Sequence, residues 1–203
     1  DGIGKVSALE LARMGASIVG VGRNPEKCAR VADEVRAVAA GGEIDYLVCD
    51  LSLMAQVREL AARMNESYPR IDVLLNNAGA IFYQKRVTVE GFEMTFALDH
   101  LSPFLLTNLL LDKLVASSAR VVTVSSYVHH IGRIDFADLN WERKSYTPWL
   151  AYAQAKLANV LFSNELARRT AGTGVTSNSL HPGYVRTAFG SGKSAWLART
   201  VSR

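Results

Sequence analysis

Ser17-Ile18-Val19-Gly20-Val21-Gly22-Arg23-Asn24 is the stretch that decides the fold. Ser17–Val21 is a short, apolar, β-branched run, and it ends on a glycine, a guanidinium and an amide. Helical patterns flank it, Gly4–Met14 before and Pro25–Ala39 after. A strand read between two helices predicts a βαβ unit, with a parallel sheet and right-handed crossovers. The same alternation continues outward. Further short apolar runs lie at Ile44–Val48, Val73–Leu75, Arg120–Ser125 and Val175–Leu180, as expected of strands covered on both faces. Helical patterns separate them at Leu53–Ser67, Thr88–Val115 and Pro148–Arg169. No repeat, linker or composition break interrupts the series, so residues 1–203 read as one doubly wound α/β domain.

Bulk composition fits that reading and excludes others. The 203 residues are 49% hydrophobic and 21% charged, which describes a globular chain rather than a disordered or low-complexity one. Net charge is +4, but the longest basic runs are pairs, Arg143-Lys144 and Arg168-Arg169, scattered among acids. A mixed solvated surface is expected, with no nucleic-acid footprint. Cys28 and Cys49 have no CxxC spacing and no His cluster nearby, so free thiols in a reducing, cytoplasmic compartment are expected. The richest apolar stretch, Leu101–Val115, is broken by Pro103, Asn108, Asp112 and Lys113 and falls short of the about 18–20 residues of a membrane span. A leader or anchor upstream of Asp1 is left open. Metal binding is not expected: His129 and His130 are adjacent, so their side chains diverge.

In an open parallel sheet, ligands sit outside the carboxyl ends of the strands. The residues there are Gly22-Arg23-Asn24, Asp50-Leu51, Asn76-Asn77-Ala78-Gly79, Ser125-Ser126 and His181-Pro182-Gly183. Gly2-Ile3-Gly4 runs into a helix, where glycines let the backbone approach a pyrophosphate held by free N–H groups and the helix dipole; a plain tight turn would read the same way. Arg23 stands where an acid would accept from a ribose 2′-OH, and a guanidinium there suits a 2′-phosphate. In register with a dinucleotide fold it favours NADP(H) over NAD(H); alone it would read as a solvated side chain. Asp50 can accept from an adenine amino group or cap a helix, with Ser52 better placed for the cap. Asn76-Asn77-Ala78-Gly79 offers two amides and little bulk, letting the backbone pass close to a ribose.

Tyr152 and Lys156 are four residues apart on a helical pattern and so share a face. Ala153, Leu157, Val160 and Leu161 are expected to seat that helix on the sheet. A partly buried ammonium beside a phenol predicts a Tyr152 pKa drawn below its usual value of about 10. A surface Tyr–Lys contact is the plain alternative. The stretch Tyr127–Thr147 lies between Ser126 and Tyr152 and should border a substrate. Its Ile131, Ile134, Phe136 and Trp141, with Trp149 beyond, would line an apolar pocket or pack the loop down.

Taken together, Gly2-Ile3-Gly4, Asp50, Asn76-Asn77-Ala78-Gly79, Ser125-Ser126, Tyr152-Ala-Gln-Ala-Lys156 and Pro182-Gly183-Tyr-Val-Arg-Thr187 resemble the short-chain dehydrogenase/reductase family across essentially the whole chain. His129-His130-Ile-Gly-Arg-Ile-Asp-Phe, Lys156-Leu-Ala-Asn-Val-Leu-Phe162 and Leu180-His-Pro-Gly183 are most similar to its retinol dehydrogenase-like branch. The resemblance implies a Rossmann-type fold and an NADP(H)-dependent oxidoreductase acting on a small apolar carbonyl or alcohol, such as a retinoid-, steroid- or fatty-aldehyde-like compound. It implies Tyr152 as acid/base, Lys156 on the tyrosine and the nicotinamide ribose, Ser126 on the substrate oxygen, Asn77 beside the adenine-side ribose, and Val185 and Thr187 on the carboxamide. A homodimer or tetramer through the two long helices is implied as well. A non-catalytic dinucleotide-binding or scaffold protein of the same fold is the alternative; intact Ser126, Tyr152 and Lys156 argue against it.

Two departures stand out. The family's usual Asn, which holds a relay water beside the Lys, corresponds here to Asp99. Pro103, four residues on, has no N–H, so the Asp99 carbonyl is expected to be free for that water. The family motif also begins before Gly2, after a first strand near the middle of the sheet, and ends in a later strand. The chain is therefore expected to be the interior of a domain of roughly 250–300 residues, with two strand edges facing a gap.

Overall fold

A computed structural model describes residues 2–183 of the chain; Val185 and Thr187 lie outside the described residues. In chain order the elements are helix α1 (Gly2–Arg13), strand β1 (Ile18–Gly22), α2 (Pro25–Arg36), β2 (Ile44–Val48), α3 (Met54–Ser67) and β3 (Val73–Asn76). After these come α4 (Met94–Phe96), a π-turn over Ala97–Leu101, α5 (Ser102–Leu109), α6 (Leu111–Ala116), β4 (Arg120–Val124), a 3-10 turn over Tyr127–Ile131, α7 (Pro148–Arg169) and β5 (Thr176–Leu180).

All the strand pairs are parallel: β1 with β2, β3 with β4, and β4 with β5. Both faces are covered, and the alternation of side chains shows how. Ile18, Ile44 and Tyr46 point to α1 and α2, where Ala12, Val31 and Val35 are buried. Val19, Val21 and Leu47 point the other way, into a larger core built from α3, α5 and α6, with Leu74 and Val121 in the same cluster. Gly20 is required by this arrangement, because a Cβ there would lie 2.2 Å from the Tyr46 ring. The sheet itself is in two ladders, β1–β2 and β3–β4–β5, with no hydrogen bonds joining them among the described residues. The larger core packs against both ladders.

Three expectations need correction. Thr88–Val115 is not one helix. Thr88 anchors a loop that accepts Gly91 N–H, Val87 bridges Glu93, and the helix starts only at Met94 and breaks again at Leu110. Ser52 does not cap α3. Its N–H and hydroxyl both go to Asp50 Oδ1 (2.9 and 2.7 Å), while the carboxylate of Glu90, far off in sequence, accepts from Met54 and Ala55 N–H at 2.7 and 2.8 Å. Leu161 does not seat α7: it is exposed, and Ala155, Ala158, Phe162 and Leu166 are buried instead.

Candidate functional site

Parallel strands place their carboxyl ends on one side, and the polar runs collect there. Asn76 closes β3 by donating to Thr107 Oγ1 (3.2 Å) and Thr123 Oγ1 (3.4 Å). Asn77 then turns toward α1, where a Cβ at Gly4 would come within 2.7 Å of its amide nitrogen. Gly79 packs against the opposite group: a Cβ would meet Asp99 Oδ2 at 3.0 Å and Lys156 Nζ at 3.1 Å. The Asn77-Ala78-Gly79 backbone thus runs between the start of α1 and the Asp99–Lys156 pair. A side chain at either position would crowd these polar groups.

At the α1 end, the helix begins at Gly2 rather than Gly4, so Gly2-Ile3-Gly4 is its first turn. That turn carries no acidic residue, and its leading N–H groups have no intrahelical acceptor. These features fit an anionic pyrophosphate. Arg23 is exposed at the carboxyl end of β1. Asn24 caps α2 by accepting from Lys27 N–H at 2.7 Å. Asp50 has one carboxylate oxygen committed to Ser52, and Leu51 packs against the larger core. Beyond β5, Ser125 N–H donates to Leu180 O (2.8 Å), which sets His181-Pro182-Gly183 beside the end of β4.

The β4–α7 end is a closed polar network. Tyr152 and Lys156 face inward from α7 and are 7% and 3% exposed, which excludes a surface contact. Lys156 Nζ donates to Val124 O (3.1 Å), lies 3.2 Å from Asp99 Oδ2, and stands 5.3 Å from the centre of the Tyr152 ring. The contact with Oδ2 is an ion pair by distance, with an angle that falls short of a directed hydrogen bond. Asp99 Oδ1 accepts from Ala80 N–H at 2.8 Å. The Ser126 side chain lies close enough to the Tyr152 phenol to act on its ionisation. Ser125 Oγ ties β4 to the same helix through Lys156 O at 2.8 Å.

Burial pushes the Tyr152 phenol above its ordinary value, the Asp99 carboxylate adds to that rise, and the Ser126 hydroxyl offsets part of it. The expected lowering by Lys156 is therefore reversed. Burial likewise raises Asp99, against the lowering by Lys156 and the Ala80 N–H.

The Asp99 carbonyl is not left without a partner. Pro103 returns no N–H to it, and the helix slips into a π-turn, with Ser102 N–H reaching Ala97 O. Asn159 fills the vacancy, donating Nδ2 to Asp99 O at 2.8 Å while its Oδ1 meets His100 Nδ1 at 3.0 Å. His100 Nδ1 therefore carries the hydrogen, and burial holds its pKa down. Asn159 is not among the expected site residues, although positions 152, 156 and 159 fall on one helical face. His129 has a structural part that its metal reading does not predict. It locks Ser126 by donating from N–H (3.0 Å) and from Nδ1 (2.7 Å) to the Ser126 carbonyl.

Ile131, Ile134, Phe136 and Trp141 do line a pocket, of about 540 Å³, with Leu150 and the charged Arg133, Asp135 and Lys144. Trp149 is not among its walls, and neither are Ser126 and Tyr152, so this pocket flanks the buried network rather than containing it. Among the described residues no three His, Cys, Asp or Glu side chains converge as metal ligands, and no helix is long and apolar enough to cross a membrane.

Comparison with known proteins gives a consistent result. A family model described as short chain dehydrogenase matches residues 1–198. Retinol dehydrogenase 13 of Homo sapiens is 48% identical over 190 residues, covering 93% of this chain and 57% of that protein. A crystal structure of a Mycobacterium paratuberculosis protein superimposes with a TM-score of 0.80 at 42% identity, covering 92% of this chain and 66% of that one. The Pseudomonas aeruginosa RhlG/NADP active-site complex does so with a TM-score of 0.73 at 28% identity, covering 92% and 71%. The chain thus spans little more than half the length of retinol dehydrogenase 13.

Proposed function

Because the chain belongs to the short-chain dehydrogenase family, we propose that it is an NADP(H)-dependent oxidoreductase that interconverts an apolar alcohol and its carbonyl compound. The observation that carries this reading is the grouping of half-buried Ser126 with buried Tyr152 and Lys156 at the carboxyl end of β4, next to the path of Asn77-Ala78-Gly79. The nicotinamide supplies or accepts a hydride when bound. Tyr152 handles the accompanying proton: in reduction its O–H bond breaks and the proton passes to the former carbonyl oxygen, and oxidation runs the reverse. Ser126 donates a hydrogen bond to that oxygen and stabilises the charge that develops on it. Lys156, whose ammonium is held at Val124 O, would reach a ribose hydroxyl.

The first turn of α1, with Gly2, Ile3 and Gly4, would hold the pyrophosphate. Asp50, Leu51, Asn77, Ala78 and Gly79 would border the adenosine, and Pro182 and Gly183, followed by Val185 and Thr187, the nicotinamide. Arg23 would pair with a 2′-phosphate, which supports NADP(H) over NAD(H), and the RhlG complex with NADP accords with it. Likeness to retinol dehydrogenase 13 supports an apolar substrate. Two free, buried thiols support a reducing, cytoplasmic setting.

The test uses the full-length protein with NADPH or NADH and a panel of apolar aldehydes and ketones, following loss of reduced-nicotinamide absorbance. Turnover with NADPH is expected. Cofactor binding without turnover on any compound would sink the enzyme reading, and a preference for NADH would sink the part assigned to Arg23.

A further inference from the structure

Asp99 stands where the resemblance implies a neutral amide, and its carboxylate has a defined place. Oδ1 is fixed by Ala80 N–H at 2.8 Å, the backbone is clamped by Asn159 at 2.8 Å, and Gly79 closes the space above both Asp99 and Lys156. Asp99 cannot rotate away from Lys156 without abandoning these bonds. We propose that Asp99 is a positioning residue acting through Lys156: it holds the ammonium and offsets its charge at the Tyr152 phenol, so that the phenol keeps its proton at neutral pH and serves the carbonyl-reducing direction. The proposal rests on the reading of Tyr152 as the acid/base.

The other groups facing this pair do not replace Asp99. Glu93, fully buried at the start of α4, adds negative charge toward Asp99. Tyr146 donates to Glu93 Oε1 at 3.1 Å and is pushed up to about 12 by burial, so it stays neutral. His100, on the π-turn, is held neutral by burial. Ser126 favours the phenolate of Tyr152 but carries no charge. With Lys156 as the cation beside the phenol, Asp99 sets how much of that charge Tyr152 feels.

The test is a phenolate difference titration by ultraviolet absorbance on the full-length protein, taken against Tyr152→Phe so that only Tyr152 is read. In the wild type Tyr152 should contribute no phenolate below about pH 10, the ordinary tyrosine value. In Asp99→Asn, which keeps the shape and the Ala80 bond, its titration should fall by about one pH unit or more, the size expected when a neighbouring charge is uncovered. A double variant, D99N/K156Q, removes both charges and leaves no buried ion without a partner. Its Tyr152 should titrate where the wild type does, and it keeps the question open to refutation should D99N fold poorly. Titration of D99N at the wild-type position, or of the double variant well below it, would overturn the proposal. The measurement needs no substrate. Absence of turnover on every compound would sink the oxidoreductase reading, whereas an unmoved phenolate titration sinks only this one. Where turnover is found, the alkaline rise of alcohol oxidation should shift to lower pH in D99N by the same amount.

Discussion

The α1–β2 end and the β4–α7 end of the molecule solve different problems with similar residue types. At the first, the polar residues stand on loops at strand ends, and each has a local partner: Asn24 caps the helix that follows it, and Asp50 closes a turn on Ser52. At the second, Asp99 on the π-turn and Asn159 and Lys156 on α7 are 0%, 1% and 3% exposed, and both α7 side chains meet Asp99. A loop side chain in water can be exchanged at small cost. A buried polar group leaves its partner unsatisfied when it goes, and that penalty is larger.

The contrast can be broken or sharpened by substitution. The largest effect is expected from Tyr152→Phe, which removes the proposed proton carrier. Reaction rate should drop by about 10²–10⁴-fold while NADPH fluorescence titration shows binding retained; a rate within a few-fold of wild type would take the acid/base role from Tyr152. Asn159→Ala comes next, since it strands the Asp99 carbonyl and the His100 imidazole. Denaturant unfolding should register a loss of about 1–3 kcal/mol, and an unchanged midpoint would show that the network tolerates a missing member.

At the other end, Arg23→Ala should weaken NADPH about tenfold relative to NADH, the worth of one lost hydrogen-bonded charge contact, with little change in unfolding midpoint. Equal loss for both cofactors would place Arg23 away from the phosphate. Glu90→Ala should have the smallest effect. Without its carboxylate the first turn of α3 loses two acceptors, at a cost of about 1 kcal/mol in thermal unfolding and none in cofactor preference.

Much of the strand framework was legible beforehand because it rests on local pattern. Ile44–Val48 and Pro148–Arg169 are found as read, and the other strands shift by a residue or so. Less legible was the run from Thr88 to Val115. Its apolar periodicity looks continuous, yet Pro103 costs a backbone donor and the chain answers with a π-turn. The cap of α3 was out of reach for another reason. Ser52 has the right chemistry next door, while Glu90 arrives from 36 residues away.

The site divides in the same way. Tyr152 and Lys156 could be placed on one face by helical spacing, and the strand ends named the polar runs that gather around them. Spacing on a helix and the carboxyl ends of parallel strands are set by backbone geometry, so the sequence by itself determined them. The sign of the electrostatics was another matter. Lys156 one helical turn from Tyr152 suggested a lowered phenol, and only the tertiary structure decided otherwise, by burying the phenol and bringing the Asp99 carboxylate near it. Charge interactions depend on distance through space and on how much water is excluded, and neither is written along the chain.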